Sequence, residues 1–388
     1  MTTPRITGVE LAGDATAPLL VVGPSLGTSA TALWSDAAAR LGRHFHIVGW
    51  NLPGHDGAAV SEPFTMAELA AGVLAYVDGV RRARGDSGSF AYAGVSVGGA
   101  VGLHLLLDPA ADVGSAALLC TGAQIGTAES WKARAETVRA SGTPTMVSDS
   151  AQRWFAAGFM EDHPNMSTRL LDVLQHTDAE GYAQVCEALA DFDVRDRLDG
   201  IAAPVLAVAG AEDVATPPAS LEAVAANVRE GRVVVLEGVA HLAPAEAPDR
   251  VARLLRDHLL PSPTQREIYD TGMVVRREVL GDAHVDRATA AITPLTGEFQ
   301  ELITQYAWGT IWTRPGLDRR SRSMITLTAL IARGHHEELA MHVRAAVRNG
   351  LTAEEIKEVI LQSAVYCGVP DANAAFRIAR DVLAEPGE

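Results

Sequence analysis

Cysteine is scarce: the 388-residue chain has three, Cys120, Cys186 and Cys367, far apart and without a CxxC pair. That spacing excludes a disulfide framework and a thiolate metal knuckle, and it points to a reducing cytoplasm. Long hydrophobic runs are missing too. No apolar stretch approaches the roughly 20 residues that a bilayer span needs. Met1 to Gly13 lacks the basic start and apolar core of a secretion signal. Positive charge is in short supply, with 32 Lys and Arg against 48 Asp and Glu, a net charge of −16. Such a field repels nucleic acid and anionic membranes. It would also repel an anionic substrate, which locally placed Arg or His must then draw in. No internal repeat or low-complexity tract is visible. What is present suffices for a full core, at 48% hydrophobic and 21% charged residues. The length favours two domains. The expectation is a soluble, cytoplasmic protein with no metal and no cofactor, acting on small molecules.

Up to about residue 260, short apolar runs alternate with helical patterns. The runs are Leu19–Val22, His46–Trp50, Ser89–Gly94, Ala116–Cys120, Val205–Gly210 and Val233–Leu236. Runs without period-2 alternation, separated by helices such as Thr65 to Arg84, predict a mostly parallel sheet covered on both faces. Residues 125–195 break the rhythm: they are helical in pattern and read as a cap inserted above the sheet. Residues 261–265 read as a proline-punctuated linker. From 266 to 388 the patterns are helical only: Phe299 to Trp308, Arg322 to Ala332, Glu337 to Asn349 and Thr352 to Val365. Thr352-Ala353-Glu354-Glu355 is a capping box, and Gly350 stands where a helix stop belongs. The second domain is therefore predicted to be all-α.

Gly94-Val95-Ser96-Val97-Gly98 follows a predicted strand and opens a predicted helix, Gly99 to Leu107. In that context the pattern is a nucleophile elbow, which predicts an α/β-hydrolase fold with Ser96 as nucleophile. A serine hydroxyl needs a base oriented by a carboxylate, in the chain order Ser, Asp, His. Asp213 follows the Val205–Gly210 run and His241 follows the Val233–Leu236 run, both at the carboxyl edge where such sheets place their sites. Glu212 is the competitor for the acid. The oxyanion donors should be the amide of Val97 and one from Pro24-Ser25-Leu26-Gly27-Thr28, with Leu26 preferred and Gly27 the alternative. The usual hydrolase has His-Gly at this loop; this chain has Ser25-Leu26.

With these residues in view, the first 260 residues resemble the 3-oxoadipate enol-lactonases. The resemblance spans the Ser-Leu-Gly-Thr loop, the elbow, Arg153-Trp154-Phe155, Glu180-Gly181-Tyr182 and the His241 segment. One departure is Asn51-Leu52-Pro53-Gly54-His55-Asp56-Gly57, where family members often carry Asp and a Gly-His-Gly run. The resemblance implies hydrolysis of a lactone through Ser96. Arg134, Arg153 and Trp154 are the candidates for holding the substrate's acetate arm.

The densest polar cluster of the second part is His335-His336-Glu337-Glu338-Leu339-Ala340-Met341-His342. Glu338 and His342 are four apart, so a helix brings them to one face. A pair of that kind suits general acid/base work by holding a proton near neutrality. From Gln265 onward the chain resembles the 4-carboxymuconolactone decarboxylases. The matching text includes Gly272–Asp282, Tyr306-Ala307-Trp308-Gly309, Ile311–Asp318, the Glu338–Arg344 helix and Tyr366-Cys367-Gly368-Val369-Pro370. The resemblance implies cofactor-free decarboxylation, with His342 as proton donor, Glu338 orienting it, and self-association through this domain. Arg314, Arg319, Arg320 and Arg322 are candidates for binding substrate carboxylates, Arg314 and Arg322 foremost. Two rival readings remain. One is an unspecialised esterase or cofactor-free haloperoxidase with a helical oligomerisation domain. The other is a non-catalytic receptor on a hydrolase scaffold.

Overall fold

The apolar runs condense into one seven-stranded sheet in a computed structural model that describes residues 3–260 and 264–385. Its strands are β1 (Thr7–Ala12), β2 (Leu19–Gly23), β3 (His46–Asn51), β4 (Phe90–Val95), β5 (Val113–Leu119), β6 (Val205–Gly210) and β7 (Gly231–Leu236). They lie in the order β1-β3-β2-β4-β5-β6-β7. β2, β3, β4 and β6 are buried at every position. Helices on both faces therefore take every side chain out of water, which is why these strands show no alternation. β1 is the strand that the apolar pattern does not announce. It pairs antiparallel with β3 and is exposed or half-buried throughout.

The chain divides into two compact units, Met1–Pro261 and Ser262–Glu388. Of the predicted linker, Pro261, Ser262 and Pro263 lie outside the described residues. Thr264 caps the first helix of the second unit, Gln265–Leu280, in a reciprocal box with Glu267. In the first unit no strand of the sheet intervenes between β5 and β6. Five α-helices fill the gap, Ala128–Ser141, Val147–Trp154, Phe159–Asp162, Pro164–His176 and Ala179–Ala190.

The described elements of the second unit are all helices, with no strand. The predicted box at Thr352–Glu355 forms, and Gly350 takes the left-handed conformation (φ 93°) after the helix His336–Arg348. One expectation needs correction. Phe299 to Trp308 is not one α-helix: Gly297–Ile303 is α-helical and Thr304–Ile311 continues as a π-helix. The partner helix supplies a reason. A Cβ on Gly272 would lie 2.4 Å from the Thr304 carbonyl oxygen, and one on Gly309 2.3 Å from that of Ile268. The two backbones touch at paired glycines, a contact that a wider turn accommodates. Trp308 is buried beside Val275, Val279 and Val285, and its ring lies 5.2 Å from that of Trp312 at a tilt of 33°.

Candidate active sites

Ser96 stands between β4 and the helix Val97–Leu107, with φ 54° and ψ −115°. For a residue with a Cβ such a conformation costs of order 1–3 kcal/mol, so the surroundings must enforce it. They do so by close approach. A Cβ on Gly94 would sit 2.2 Å from the Gly98 carbonyl oxygen, and one on Gly98 2.7 Å from that of Pro24. Thr121 Oγ1 donates to the Ser96 carbonyl oxygen at 2.8 Å. The result projects the serine at the N-terminal end of a helix, where partial positive charge accumulates.

His241 Nδ1 lies 2.9 Å from Asp213 Oδ2, and the two side chains are 5% and 0% exposed. Asp213 Oδ1 accepts from the amides of Ala215 and Thr216, and Thr216 Oγ1 donates to Oδ2 at 2.7 Å. Burial pushes the Asp213 carboxyl upward. The charge and hydrogen bond of His241, with the bonds from Thr216, outweigh that and hold it below its ordinary value. An ionised Asp213 only accepts, so Nδ1 of His241 carries the hydrogen and any lone pair for taking a proton must lie on Nε2. Glu212, the rival acid, is occupied elsewhere: it accepts from the Ala157 amide at 3.0 Å.

Ser96 and His241 line one cavity of about 330 Å³ together with Leu26, Arg134, Arg153 and Trp154. Ser25 shapes its floor, because its carbonyl accepts from both the amide and the hydroxyl of Thr28. That tight turn carries Leu26 into the cavity wall, whereas Gly27 (φ 79°) faces Leu174 and Trp154. Arg134 is fixed by Tyr182 Oη at 2.9 Å and Ser150 Oγ at 3.3 Å, and both partners also line the cavity. Arg153 pairs with Asp149 at 3.7 Å. The Asn51 to Gly57 departure has a local answer too, since Asp56 takes the left-handed conformation (φ 49°) and accepts from the Asn51 amide group at 3.4 Å.

Two residues here escaped the sequence reading. Thr216 is the first. Glu246 is the second: it accepts from the amides of Ala156 at 2.8 Å and of Ala240 and Leu242 at 3.1 Å. Burial pushes its carboxyl up to about 7. The His241 amide donates to the Trp154 carbonyl at 3.1 Å, so the loop of residues 240–242 is joined to the segment of Trp154 and Ala156 both directly and through Glu246. The visible signal was an acid inside the apolar run Leu242-Ala243-Pro244-Ala245-Glu246.

In the second unit, His342 is half-buried on the helix His336–Arg348 and Glu338 is exposed. No hydrogen bond joins them among the described residues; Glu338 acts on His342 through its charge alone. Burial first, then the neighbouring His284, push His342 down to about 4 against the pull of Glu338. This corrects the expectation of a pair holding a proton near neutrality: in the free protein the imidazole is neutral at pH 7. The arginine candidates are also placed differently from what was expected. Arg322 donates to the backbone carbonyls of Leu317 and Arg314, closing its own loop, and Arg314 is exposed. Arg319 pairs with Glu278, and Arg320 with Glu355. The arginine that the fold buries is Arg276, on the helix Gln265–Leu280.

The α/β hydrolase family model matches residues 19–254 and the carboxymuconolactone decarboxylase family model residues 297–381. The chain is 44% identical to a 4-carboxymuconolactone decarboxylase of Acinetobacter baylyi, over 31% of this chain and 89% of that one. The chain belongs to both families. Its hydrolase part is 32% identical to 3-oxoadipate enol-lactonase 2 of the same organism, over 61% of this chain and 86% of that one. Its decarboxylase part is also 45% identical to the nitrosuccinic acid decarboxylase of Metarhizium robertsii, over 30% of this chain and 82% of that one. The carboxymuconolactone decarboxylase unit thus follows an α/β hydrolase unit on a single polypeptide.

Proposed function

We propose that the chain catalyses two successive reactions, decarboxylation of 4-carboxymuconolactone in the second unit and hydrolysis of the resulting 3-oxoadipate enol-lactone in the first. The observation that carries this reading is the pairing of relatives. The product of the reaction for which one is named is the substrate for which the other is named, and this chain is similar to both.

In the hydrolase unit His241 Nε2 takes the Ser96 proton as Oγ adds to the lactone carbonyl, and Asp213 stabilises the imidazolium. The amides of Leu26 and Val97 receive the oxyanion. The ring oxygen leaves as an enolate, which becomes a ketone once protonated, so ring opening is effectively one-way. Water, activated by His241, then releases 3-oxoadipate. Trp154, Arg134 and Arg153 line the space that the acetate arm fills.

In the decarboxylase unit the substrate is its own electron sink. Electrons from the departing carboxylate pass through the ring double bond to the lactone carbonyl, and the α carbon then takes a proton. His342 is the donor. A neutral imidazole cannot serve, but a dianionic substrate beside it raises its proton affinity, so the charged donor forms in the complex. Glu338 assists through its charge.

The second unit is an association surface as well. Leu295, Val365 and Tyr366 are 91%, 78% and 79% exposed, an apolar display that suits contact between copies of this chain. No helix among the described residues is long and apolar enough to cross a membrane. With three free cysteines, a cytoplasmic setting fits the chemistry.

The test is to supply 4-carboxymuconolactone and follow products. Ser96→Ala should decarboxylate at the normal rate and accumulate enol-lactone. His342→Ala should leave the substrate untouched while hydrolysing supplied enol-lactone. In an esterase with an inert helical domain the Ser96→Ala variant would consume no 4-carboxymuconolactone, and a receptor would hydrolyse nothing.

A further inference from the structure

Arg276 is 6% exposed, yet no carboxylate partners it among the described residues. Its Nη1 donates to Thr304 Oγ1 at 3.2 Å and its Nη2 to Gln300 Oε1 at 3.1 Å. Both acceptors are neutral. The buried Nε has no partner at all. A guanidinium offers five N–H donors in a rigid fork, and only two of these are used here. Burying a charge without a counter-ion is expensive, and proteins seldom keep one without a use for it. The surroundings are basic as well, although Arg344 has its own counter-ion in Glu385. His284, from the helix Asp282–Ala290, feels the charges of Arg276, Arg287 and Arg344, and His342 feels that of His284. Three separate helices thus bring basic groups to one place in a protein that is acidic overall.

We propose that Arg276 is the anchor for the substrate carboxylate that survives the reaction, the acetate-arm carboxylate of the lactone. The ligand class is an organic dicarboxylate, and the assignment rests on the decarboxylase reading of this unit. Chemistry selects which carboxylate. An arginine on the departing group would stabilise the charge that has to flow into the ring, and so would oppose the reaction. On the retained group the same bond holds the substrate equally in ground and transition states, fixing the ring against His342. Thr304 and Gln300 aim the fork, Gln300 from the α-helix Gly297–Ile303 and Thr304 from the start of the π-helix. The contrast with Arg314, Arg319, Arg320 and Arg322 is physical: each of those is exposed or already committed to loop carbonyls or to a glutamate.

The experiment uses the full chain with Arg276→Met, which keeps the apolar stem, and Arg276→Lys, which keeps the charge but loses the fork. Decarboxylation kinetics, hydrolysis of supplied enol-lactone and calorimetric binding of adipate are measured for each. For Arg276→Met the expected result is a KM for 4-carboxymuconolactone raised at least 30-fold with kcat changed less than fivefold. Hydrolysis should be unaltered, and one adipate site should disappear. Arg276→Lys should remain folded with KM raised about tenfold. A KM within threefold of wild type, or an unchanged number of adipate sites, in either folded variant overturns the proposal. If Arg276→Met fails to fold, Arg276→Lys decides by the same two readings. If wild type never decarboxylates the lactone but the adipate site still vanishes in Arg276→Met, the substrate reading falls and the anion site stands.

Discussion

Asp213→Asn is the substitution that tests the hydrolase chemistry most sharply. Its amide oxygen can keep the bonds from the Ala215 and Thr216 amides that Oδ1 now accepts, so the loop has no reason to unfold. The amide NH2 then falls where Oδ2 is, 2.9 Å from His241 Nδ1 and 2.7 Å from Thr216 Oγ1. A hydroxyl can turn to accept, but Nδ1 can accept only by giving up its hydrogen. The imidazole is driven to the tautomer with the proton on Nε2, the nitrogen that must take the proton from Ser96. A base in the wrong tautomer loses roughly 10⁴-fold in kcat, about 5 kcal/mol at ~1.36 kcal/mol per tenfold. The assay is steady-state hydrolysis of supplied enol-lactone, with decarboxylation by the same preparation as the control for integrity. Glu212→Gln, which retains an acceptor for the Ala157 amide, should stay within about threefold of wild type. A kcat for Asp213→Asn within tenfold of wild type would refute the tautomer argument.

Three other outcomes follow from the same geometry. Glu246 has its carboxyl raised from 4.5 to about 7, so between those values the folded state binds the extra proton. Its contribution is fully present below about pH 4.5 and is lost as pH rises towards 7. The amount is about 3 kcal/mol at ~1.36 kcal/mol per unit, and denaturant unfolding of Glu246→Gln should lack that slope. Gly272→Ala places a methyl 2.4 Å from the Thr304 carbonyl oxygen, one turn before Arg276. Overpacking of about 1–3 kcal/mol should lower the melting temperature of the second unit and weaken decarboxylation while hydrolysis persists; unchanged melting would count against the close approach. Tyr366→Asp charges an exposed apolar position and should reduce the mass seen by light scattering without changing hydrolysis, whereas an unaltered mass would move the association surface elsewhere.

Much of the hydrolase unit was legible because its chemistry restricts its alphabet. An elbow at Ser96 tolerates only small residues at 94 and 98, and fully buried strands read as unbroken apolar runs. Asp213 and His241 stand out because each follows such a run. β1 was hidden since an edge strand facing water needs no apolar text. Glu246 and Thr216 were hidden because their roles lie in contacts to amides that sequence does not position. In the second unit, the helices were readable from their period, but the π-helix was not, since it arises where two glycines let backbones meet. Arg276 reads as a surface residue on an amphipathic helix; only packing shows that it is buried. The protonation of His342 likewise depends on burial and on His284, which is 58 positions away in sequence.

Glu212 and Glu246 have a bearing on how this hydrolase unit can be re-engineered. They receive the adjacent amides of Ala157 and Ala156, one glutamate beside Asp213 and the other near His241. A cap exchanged with that of a relative would have to present two consecutive free amides at the same height, or the acid and base loops would lose a shared reference point. Specificity grafted through the cap helices alone is therefore expected to alter turnover as well as selectivity. The portable module is the cap together with residues 212 and 246.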